Sequence, residues 1–397
     1  MAAFFQSLAP QAPDALLGLI ALFAADGRAG KIDLGVGIYR DDMGATPVLR
    51  SVKAAETILL REQPSKSYLG AEGDARFTAL LSDLLFGSEP AFADRLTGVQ
   101  TPGGTGALCL GARLIARAAP GATVWIGSPT WPNHEPIFRE AGLAVRFHRF
   151  LDPATGLVDL EGMLADLGEA RPGDVLLLHG CCHNPSGAQL SPAQWQAIAG
   201  HCLRLGLTPF VDIAYQGLGD GLDADAEATR RLVGQVPEAL VAYSCDKNFG
   251  VYRDRVGALW VSAESSAAAA TCRGNLLSLA RVLWSMPPDH GAAVVRIVLD
   301  DPALRADWEA ELAAMRARIN GLRASLAAGH PALAPVAAGR GMFALLPVGP
   351  DEVGSLREEQ AIYMAGNGRI NICGLTQASV PALVAALQPH LRPAEGK

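Results

Sequence analysis

"SPAQWQAIAGHCLRLGLTPFVDIAY", Ser191 to Tyr215, holds one complete unit of architecture. Ser191 is a plausible helix N-cap and Gly206 a plausible helix stop, so the stretch opens with a helix of defined ends. Directly behind it, "PFVDIA" (209–214) is apolar at consecutive rather than alternate positions. A strand buried on both faces reads this way, and such strands belong to parallel sheets. The same kind of run recurs as "ATVWIGS" (122–128), "DVLLLHG" (174–180), "ALVAYS" (239–244) and "VGALWVS" (256–262), each bounded by turn residues and spaced for a crossover. The chain is therefore expected to be α/β, with a mostly parallel sheet flanked by helices.

From Asp301 the pattern changes. Leu304, Trp308, Leu312, Met315, Ile319, Leu322 and Leu326 recur at spacings of three and four, which describes one long amphipathic helix. "GMFALLPVG" and "RINICGL" then read as strands of a second unit. The expected organisation is a large domain over 46–305 and a smaller α/β domain made of 1–45 together with 306–397.

Bulk properties narrow the classes of function. Half of the 397 residues are apolar and 18% are charged, a balance suited to a large enzyme core. A formal charge of −7 leaves no basic footprint for nucleic acid. The 11 residues of "ALLGLIALFAA" are too few to span a bilayer, and "MAAFFQSLAPQAPDALLG" lacks the basic start of a signal peptide. Seven cysteines without a disulfide-like spacing suit a reducing compartment, so a cytoplasmic protein is expected.

Several residues could carry chemistry. "TPGGTGALCLGARLIARAAP" (101–120) is a glycine-rich turn feeding a helix. It is either a tight turn or a phosphate cradle built from the N–H groups of Gly104, Thr105 and Gly106. Ser244 and Arg255 could complete such a cradle, although Arg255 alone could equally form a surface salt bridge. Asp212 ends an apolar strand where open α/β sheets place ligand groups, or it caps the next turn; Tyr215 follows in the same region. "HGCCHNPSG" (179–187) invites a metal reading, but adjacent strand residues point to opposite faces. Cys181 and Cys182 are therefore not expected to share an ion, and no metal is expected. Asn184 reads instead as a side-chain donor at a strand's C-terminal turn, and His179 and His134 as core histidines or orienting groups. No GxSxG elbow and no dinucleotide fingerprint is present. In "SCDKNFGVYRDRVG" (244–257) a lysine, Lys247, follows a buried-looking strand, an expensive place for an ammonium. A lysine, a strand-end acid, a phosphate-type loop with an arginine, a tyrosine and an asparagine are together what pyridoxal 5′-phosphate requires. Held as a Schiff base, Lys247 would escape the cost of a buried charge.

The chain closely resembles the class I aminotransferases, in their aspartate and aromatic amino acid branch. The resemblance runs through "GKIDLGVGIYRDDMGATPVL", "TPGGTGAL", "SPTWPNH", "LHGCCHNPSGAQL", "DIAYQG", "SCDKNFGVYRDRVG", "SMPPDHGA", "GRGMF" and "GRINICGL", in family order. It implies a fold-type I transferase dependent on pyridoxal phosphate. Lys247 is then the Schiff-base lysine and proton carrier, and Asp212, supported by His134, keeps the pyridine nitrogen protonated. Trp131 stacks on the ring, and Asn184 and Tyr215 reach its O3′. Gly104, Thr105, Ser244 and Arg255 hold the phosphate. Tyr68 in "KSYLG" is expected to reach the phosphate in a neighbouring subunit, which implies a homodimer with shared sites. For the substrate, Arg369 grips the α-carboxylate, with Trp131, Asn184 and the Gly37 loop at that end. Arg281 meets a side-chain carboxylate across the dimer.

Some positions depart from the family pattern. Asp246 stands where the family has a small residue, and its carboxylate either favours a protonated Schiff base or points to solvent. Ser67, Trp284 and Met286 replace residues typical of aspartate-selective members, which leaves room and apolar surface for a ring. The expected reaction moves an amino group from tyrosine, phenylalanine, tryptophan or aspartate to 2-oxoglutarate by a ping-pong course. An aspartate aminotransferase with little aromatic activity is the alternative. A non-catalytic cofactor-binding protein would have lost Lys247, Asp212 or Arg369.

Overall fold

The capped helix and the strand behind it are both present in the structure, a computed structural model that describes residues 4–10, 15–152 and 155–391. The N- and C-terminal limits of the expected small domain, residues 1–3 and 392–397, lie outside the described residues, as do 11–14 and 153–154. The helix runs Pro192–Leu205. Ser191 Oγ accepts from the Gln194 N–H at 3.3 Å, Gln194 Oε1 accepts from the Ser191 N–H at 2.8 Å, and Gly206 closes the helix at φ 67°. A reciprocal cap of this kind stabilises a helix by about 1 kcal/mol.

In chain order the strands are β1 (Ile32–Asp33), β2 (Leu96–Pro102), β3 (Thr123–Ser128), β4 (Ala144–Arg149), β5 (Val175–His179), β6 (Thr208–Ile213), β7 (Ala239–Ser244), β8 (Val256–Ser262), β9 (Phe343–Leu345), β10 (Ile362–Tyr363) and β11 (Arg369–Asn371). Seven of them form one sheet in the order β2-β8-β7-β6-β5-β3-β4. The five from β4 to β7 are parallel, whereas β8 runs antiparallel to both β7 and β2. The crossover expected before β8 is absent because residues 245–255 form a loop too short to hold one. Continuous apolar strands mean two buried faces. Val175 and Leu177 pack into one core with Leu108, Val124, Phe210 and Leu240, whereas Leu176 and Leu178 pack into the other with Trp195, Ile198, Val211 and Val241.

Register sets up the site. His179 on β5 pairs with Asp212 on β6, and Asp212 with Ala242 on β7, so the strand ends that carry His179, Asp212 and Ser244 lie side by side. The helix Gly103–Ala118, entered straight from β2, begins at the same edge of the sheet.

The long helix spans Pro302–Ala328, capped by Asp301, whose carboxylate accepts from the N–H groups of Ala303 and Leu304 at 2.8 and 3.1 Å. Its buried stripe includes Trp308, Leu312, Met315, Ile319, Leu322 and Leu326. Trp308 stacks on Phe249 (centroids 4.3 Å apart, planes 3° from parallel) and donates to the Asn248 carbonyl at 2.8 Å. The helix thereby grips the turn that carries Lys247. Farther along, Arg323 is buried and spends its guanidinium on the carbonyls of Val336, Arg340, Gly341 and Phe343. Burial pulls it down to about 10, and these carbonyls replace the lost water. They fix the entry to β9, which pairs antiparallel with β11 and sets Leu345 opposite Arg369. β1 pairs in parallel with β10, joining the N-terminal segment to the C-terminal part.

Candidate active site

A cavity of about 310 Å³ opens where β5, β6 and β7 end. Its floor is Asp212. The carboxylate Oδ2 lies 3.0 Å from His134 Nε2, and His134 Nδ1 lies 2.7 Å from Thr130 Oγ1, so hydroxyl, imidazole and acid form a buried chain. Burial alone would push Asp212 up. The His134 hydrogen bond and the nearness of His134, His179 and Lys247 outweigh it and hold the acid below its ordinary range. An ionised acid at this depth suits a protonated ring nitrogen facing it.

Lys247 stands across from that acid, its Nζ 5.4 Å from the Tyr215 ring centroid. Burial lowers its pKa, against the opposing pull of Asp246 and Asp212 and with the help of Arg255. Among the described residues no carboxylate forms an ion pair with it. A desolvated, unpaired amine is a nucleophile. Tyr215, pushed up first by burial and then by the charge of Asp212, keeps its phenolic proton. Asn184 is buried, and its Oδ1 has no hydrogen-bond partner among the described residues. A buried amide left open toward a cavity is a place for a ligand oxygen or hydroxyl.

At one end the glycine turn approaches Ser244 and Arg255 too closely for side chains. A Cβ on Gly103, whose φ is +71°, would sit 2.7 Å from Arg255 Nη2, and one on Gly104 would sit 3.0 Å from Ser244 Cβ. Among the described residues no side chain caps the helix that starts there, which leaves its first N–H groups available to an anion. Arg255 holds a left-handed φ of 56°, a strained setting for arginine. Backbone donors, a helix N-terminus and a guanidinium fit a phosphate.

At the other end Arg369 lies over the Phe343 ring, 4.9 Å from its centroid, and donates from Nη2 to the Gly35 carbonyl at 2.9 Å. Its Nε is buried and has no hydrogen-bond partner among the described residues. A Cβ on Gly37 would come within 2.7 Å of Phe343 Cζ, so the loop can lie flat across this end only with glycine there. Trp131 meets His134 edge-on (5.2 Å, 89°) and walls the cavity.

Not every expected residue is gathered here. Tyr68 is 92% exposed, and Arg281 is exposed and bonded to Ser285 Oγ. Neither lines the cavity of its own chain. Both belong to a surface where the 65–70 segment meets 284–286 through a Leu69 N–H donated to Met286 Sδ at 3.0 Å. Asp246 does not point to solvent: it is buried, and it pairs with Arg255. The strand argument about Cys181 and Cys182 also fails. β5 ends at His179 and Cys182 has φ 52°, so both thiols lie on one side, with Asp225 close by. Asp225 is nevertheless occupied by the N–H groups of Gly217, Gly219 and Asp220. The Cys181 thiol is held well above its ordinary value, first by a hydrogen bond with Cys182 and then by burial, so these groups are poor ligands. The residues missed in the sequence are Tyr252 and Phe343. Tyr252 stood inside the lysine segment, and its hydroxyl accepts from the Tyr39 N–H at 2.8 Å.

His179 makes a pH prediction. Burial first, then the neighbouring His134, hold its imidazole down to about 3 against the pull of Asp212. The unfolded chain takes up this proton near pH 6.5, so between those values the unfolded state binds more protons, and stability falls as pH drops. Urea unfolding of His179→Asn should therefore lose less stability than the wild type between pH 7 and pH 4, by up to about 3 kcal/mol. Parallel profiles would show that the ring is already protonated in the fold.

A lysine facing a buried acid, with an anion cradle at one end and an arginine at the other, defines an α/β enzyme that works through pyridoxal phosphate. Residues 29–387 match the family model for aminotransferase class I and II, and the chain belongs to that family. It is 52% identical over 378 residues to a tyrosine aminotransferase of Rhizobium meliloti (strain 1021), covering 94% of this chain and 97% of that one. An aspartate aminotransferase of Salmonella typhi is 40% identical over 391 residues, covering 96% and 99%. Among solved structures, an aromatic-amino-acid aminotransferase of Burkholderia pseudomallei covalently bound to pyridoxal phosphate superposes with a TM-score of 0.95 at 37% identity, covering 98% and 100%. The chain is a transaminase, its cofactor is pyridoxal phosphate, and its substrates are amino acids and 2-oxo acids.

Proposed function

We propose that the enzyme takes its amino group from tyrosine, phenylalanine, tryptophan or aspartate and delivers it to 2-oxoglutarate. The observation that carries this reading is one cavity with the amine of Lys247 and the acid of Asp212 at its centre, and Arg255 and Arg369 at opposite ends. When bound, pyridoxal phosphate would supply an electron sink for the charge left on the substrate's α-carbon. Asp212 holds the proton on the ring nitrogen, and His134 and Thr130 hold Asp212. Asn184, Tyr215 and Trp131, which line the same cavity, would hold and orient the cofactor's ring. Gly104, Thr105, Ser244 and Arg255 anchor the phosphate. Arg369 would fix the α-carboxylate beneath the Gly37 loop, and the Lys247 amine, facing the same cavity, would take up the proton from the substrate's α-carbon.

Two features favour an aromatic donor alongside aspartate. The cavity is walled by Leu16, Val36, Leu108 and Phe343, and a second space of about 840 Å³, lined by Leu16, Leu19, Leu22 and Trp131, adjoins it at Arg369. The exposed Tyr68 and Arg281, with Leu60 and Val282 at 86% and 80% exposure, fit a homodimer in which each chain completes the other's site. The two pairings β1–β10 and β9–β11 fit a small domain of 1–45 and 306–397 that closes on 46–305. No described helix is long and apolar enough to cross a membrane, and all seven cysteines are free, which fits a cytoplasmic enzyme.

The test is the absorption spectrum of the purified protein with pyridoxal phosphate, before and after phenylalanine or aspartate. Both donors should convert the lysine-bound chromophore to the pyridoxamine form, with phenylalanine at least as fast. Conversion by aspartate alone would favour the narrower aspartate enzyme, and conversion by neither would overturn the donor assignment.

A further inference from the structure

Asp246 places an anion inside an anion site. It is 3% exposed, it lines the cavity, and its Oδ2 accepts from Arg255 Nη1, the same nitrogen that reaches the Tyr252 carbonyl at 3.2 Å. The other oxygen, Oδ1, is buried and has no hydrogen-bond partner among the described residues. A Cβ on Gly103 would lie 3.5 Å from Asp246 Oδ2, so the carboxylate borders the glycine turn itself.

Charge accounting follows from this. Taken together, Asp246 and Arg255 are formally neutral, and the glycine turn contributes no charged side chain. What remains for a phosphate is the helix N-terminus, worth roughly half a positive charge. Two negative charges are poorly matched by that, and an orphaned carboxylate oxygen alongside makes the match worse. One negative charge is matched, and a phosphate that keeps one proton also supplies the donor that Asp246 Oδ1 lacks. We propose that Asp246 makes this site a receptor for the singly charged, protonated form of the cofactor phosphate, with the remaining proton shared between a phosphate oxygen and Asp246 Oδ1. A dianion arriving from solution takes that proton from water, and no bond other than O–H is made or broken. The proposal rests on the reading of Arg255 as the phosphate contact.

The groups around Asp246 are Arg255, Lys247, Tyr252 and Cys245 on its own segment, and Asp212 from β6 beyond Lys247. Of these only Arg255 pairs with it. A phosphate monoester loses its last proton near pH 6, and a like charge alongside delays that loss by one unit or more. Cofactor affinity should therefore fall as pH rises from about 6, where the free phosphate loses its last proton, and level off at the higher pH where the bound phosphate loses its own.

Phosphorus NMR of the holoenzyme at about pH 6.5 reads the charge directly, because free pyridoxal phosphate is then mostly a dianion whereas a phosphate that holds its last proton one unit longer is still mostly a monoanion. Dissociation constants are compared at about pH 8, above both values. The wild-type resonance should stand at the monoanion position, calibrated by titrating the free cofactor. In Asp246→Asn, which keeps the volume and removes the charge, it should move to the dianion position, and the dissociation constant for pyridoxal phosphate should tighten about tenfold. Asp246→Ser should behave alike, so that misfolding of one variant leaves the other to decide. A wild-type resonance at the dianion position overturns the proposal, and so does a monoanion signal that survives both substitutions. Failure to see any bound phosphorus signal would instead count against the phosphate site at Arg255, and the proposal would fall with it.

Discussion

Lys247→Ala should reduce amino transfer by at least about 10⁴-fold, the upper range for losing a positioned proton carrier, because on the proposed reading the same amine would also hold the cofactor covalently. Among the described residues its amine meets the face of Tyr215 and no carboxylate partner. Its ammonium has no ion pair among the described residues, burial lowers its pKa, and Trp308 clamps the turn it stands on through Phe249 and the Asn248 carbonyl. A structural lysine would be paired and charged. The loss should fall on turnover, since Asp212, Asn184 and Arg255 would still hold the cofactor by non-covalent contacts. Cofactor content after desalting and single-turnover conversion of phenylalanine separate these effects. An alanine variant that keeps more than about 1% of turnover would remove Lys247 from the proton path.

The parts legible in the sequence were those that local chemistry dictates. Ser191, Gln194 and Gly206 specify both ends of a helix by themselves, and the spacing from Trp308 to Leu326 specifies another. Asp212, Lys247 and the glycine turn were legible because each is costly where it stands unless a ligand repays it. What stayed hidden depends on partners distant in sequence. β2, with glycine and proline in "LTGVQTP", and the exposed edge strand β4, "AVRFHR", owe their pairing to β8 and β3 rather than to their own pattern. The direction of β8 was misread because strand patterning carries no polarity. Phe343 drew no notice because only its approach to Gly37 and Arg369 gives it a role. Asp246 was ambiguous until Arg255, nine residues on, was seen to turn back onto it with a left-handed backbone.

Arg369→Gln should lower kcat/KM by about 10³-fold, the value of two charge-assisted hydrogen bonds to a carboxylate in a site with little water. The guanidinium is already fixed for the contact: Nη2 is held by the Gly35 carbonyl, the plane lies over Phe343, and Nε is buried with no hydrogen-bond partner among the described residues. Because every amino acid substrate carries an α-carboxylate, phenylalanine and aspartate should lose the same factor. Lysine at this position should not restore it, since a single ammonium cannot reproduce a planar fork. Arg281→Ala makes the informative contrast. If Arg281 reaches a neighbouring chain's site, its loss should penalise aspartate and 2-oxoglutarate about 10²-fold and leave phenylalanine within a few-fold, because only dicarboxylates carry the second charge. Measured together, the two variants separate a residue that every substrate must touch from one that selects among them. Equal penalties on both donors from Arg281→Ala would place that arginine in the common binding step, and a selective penalty from Arg369→Gln would exchange the two assignments.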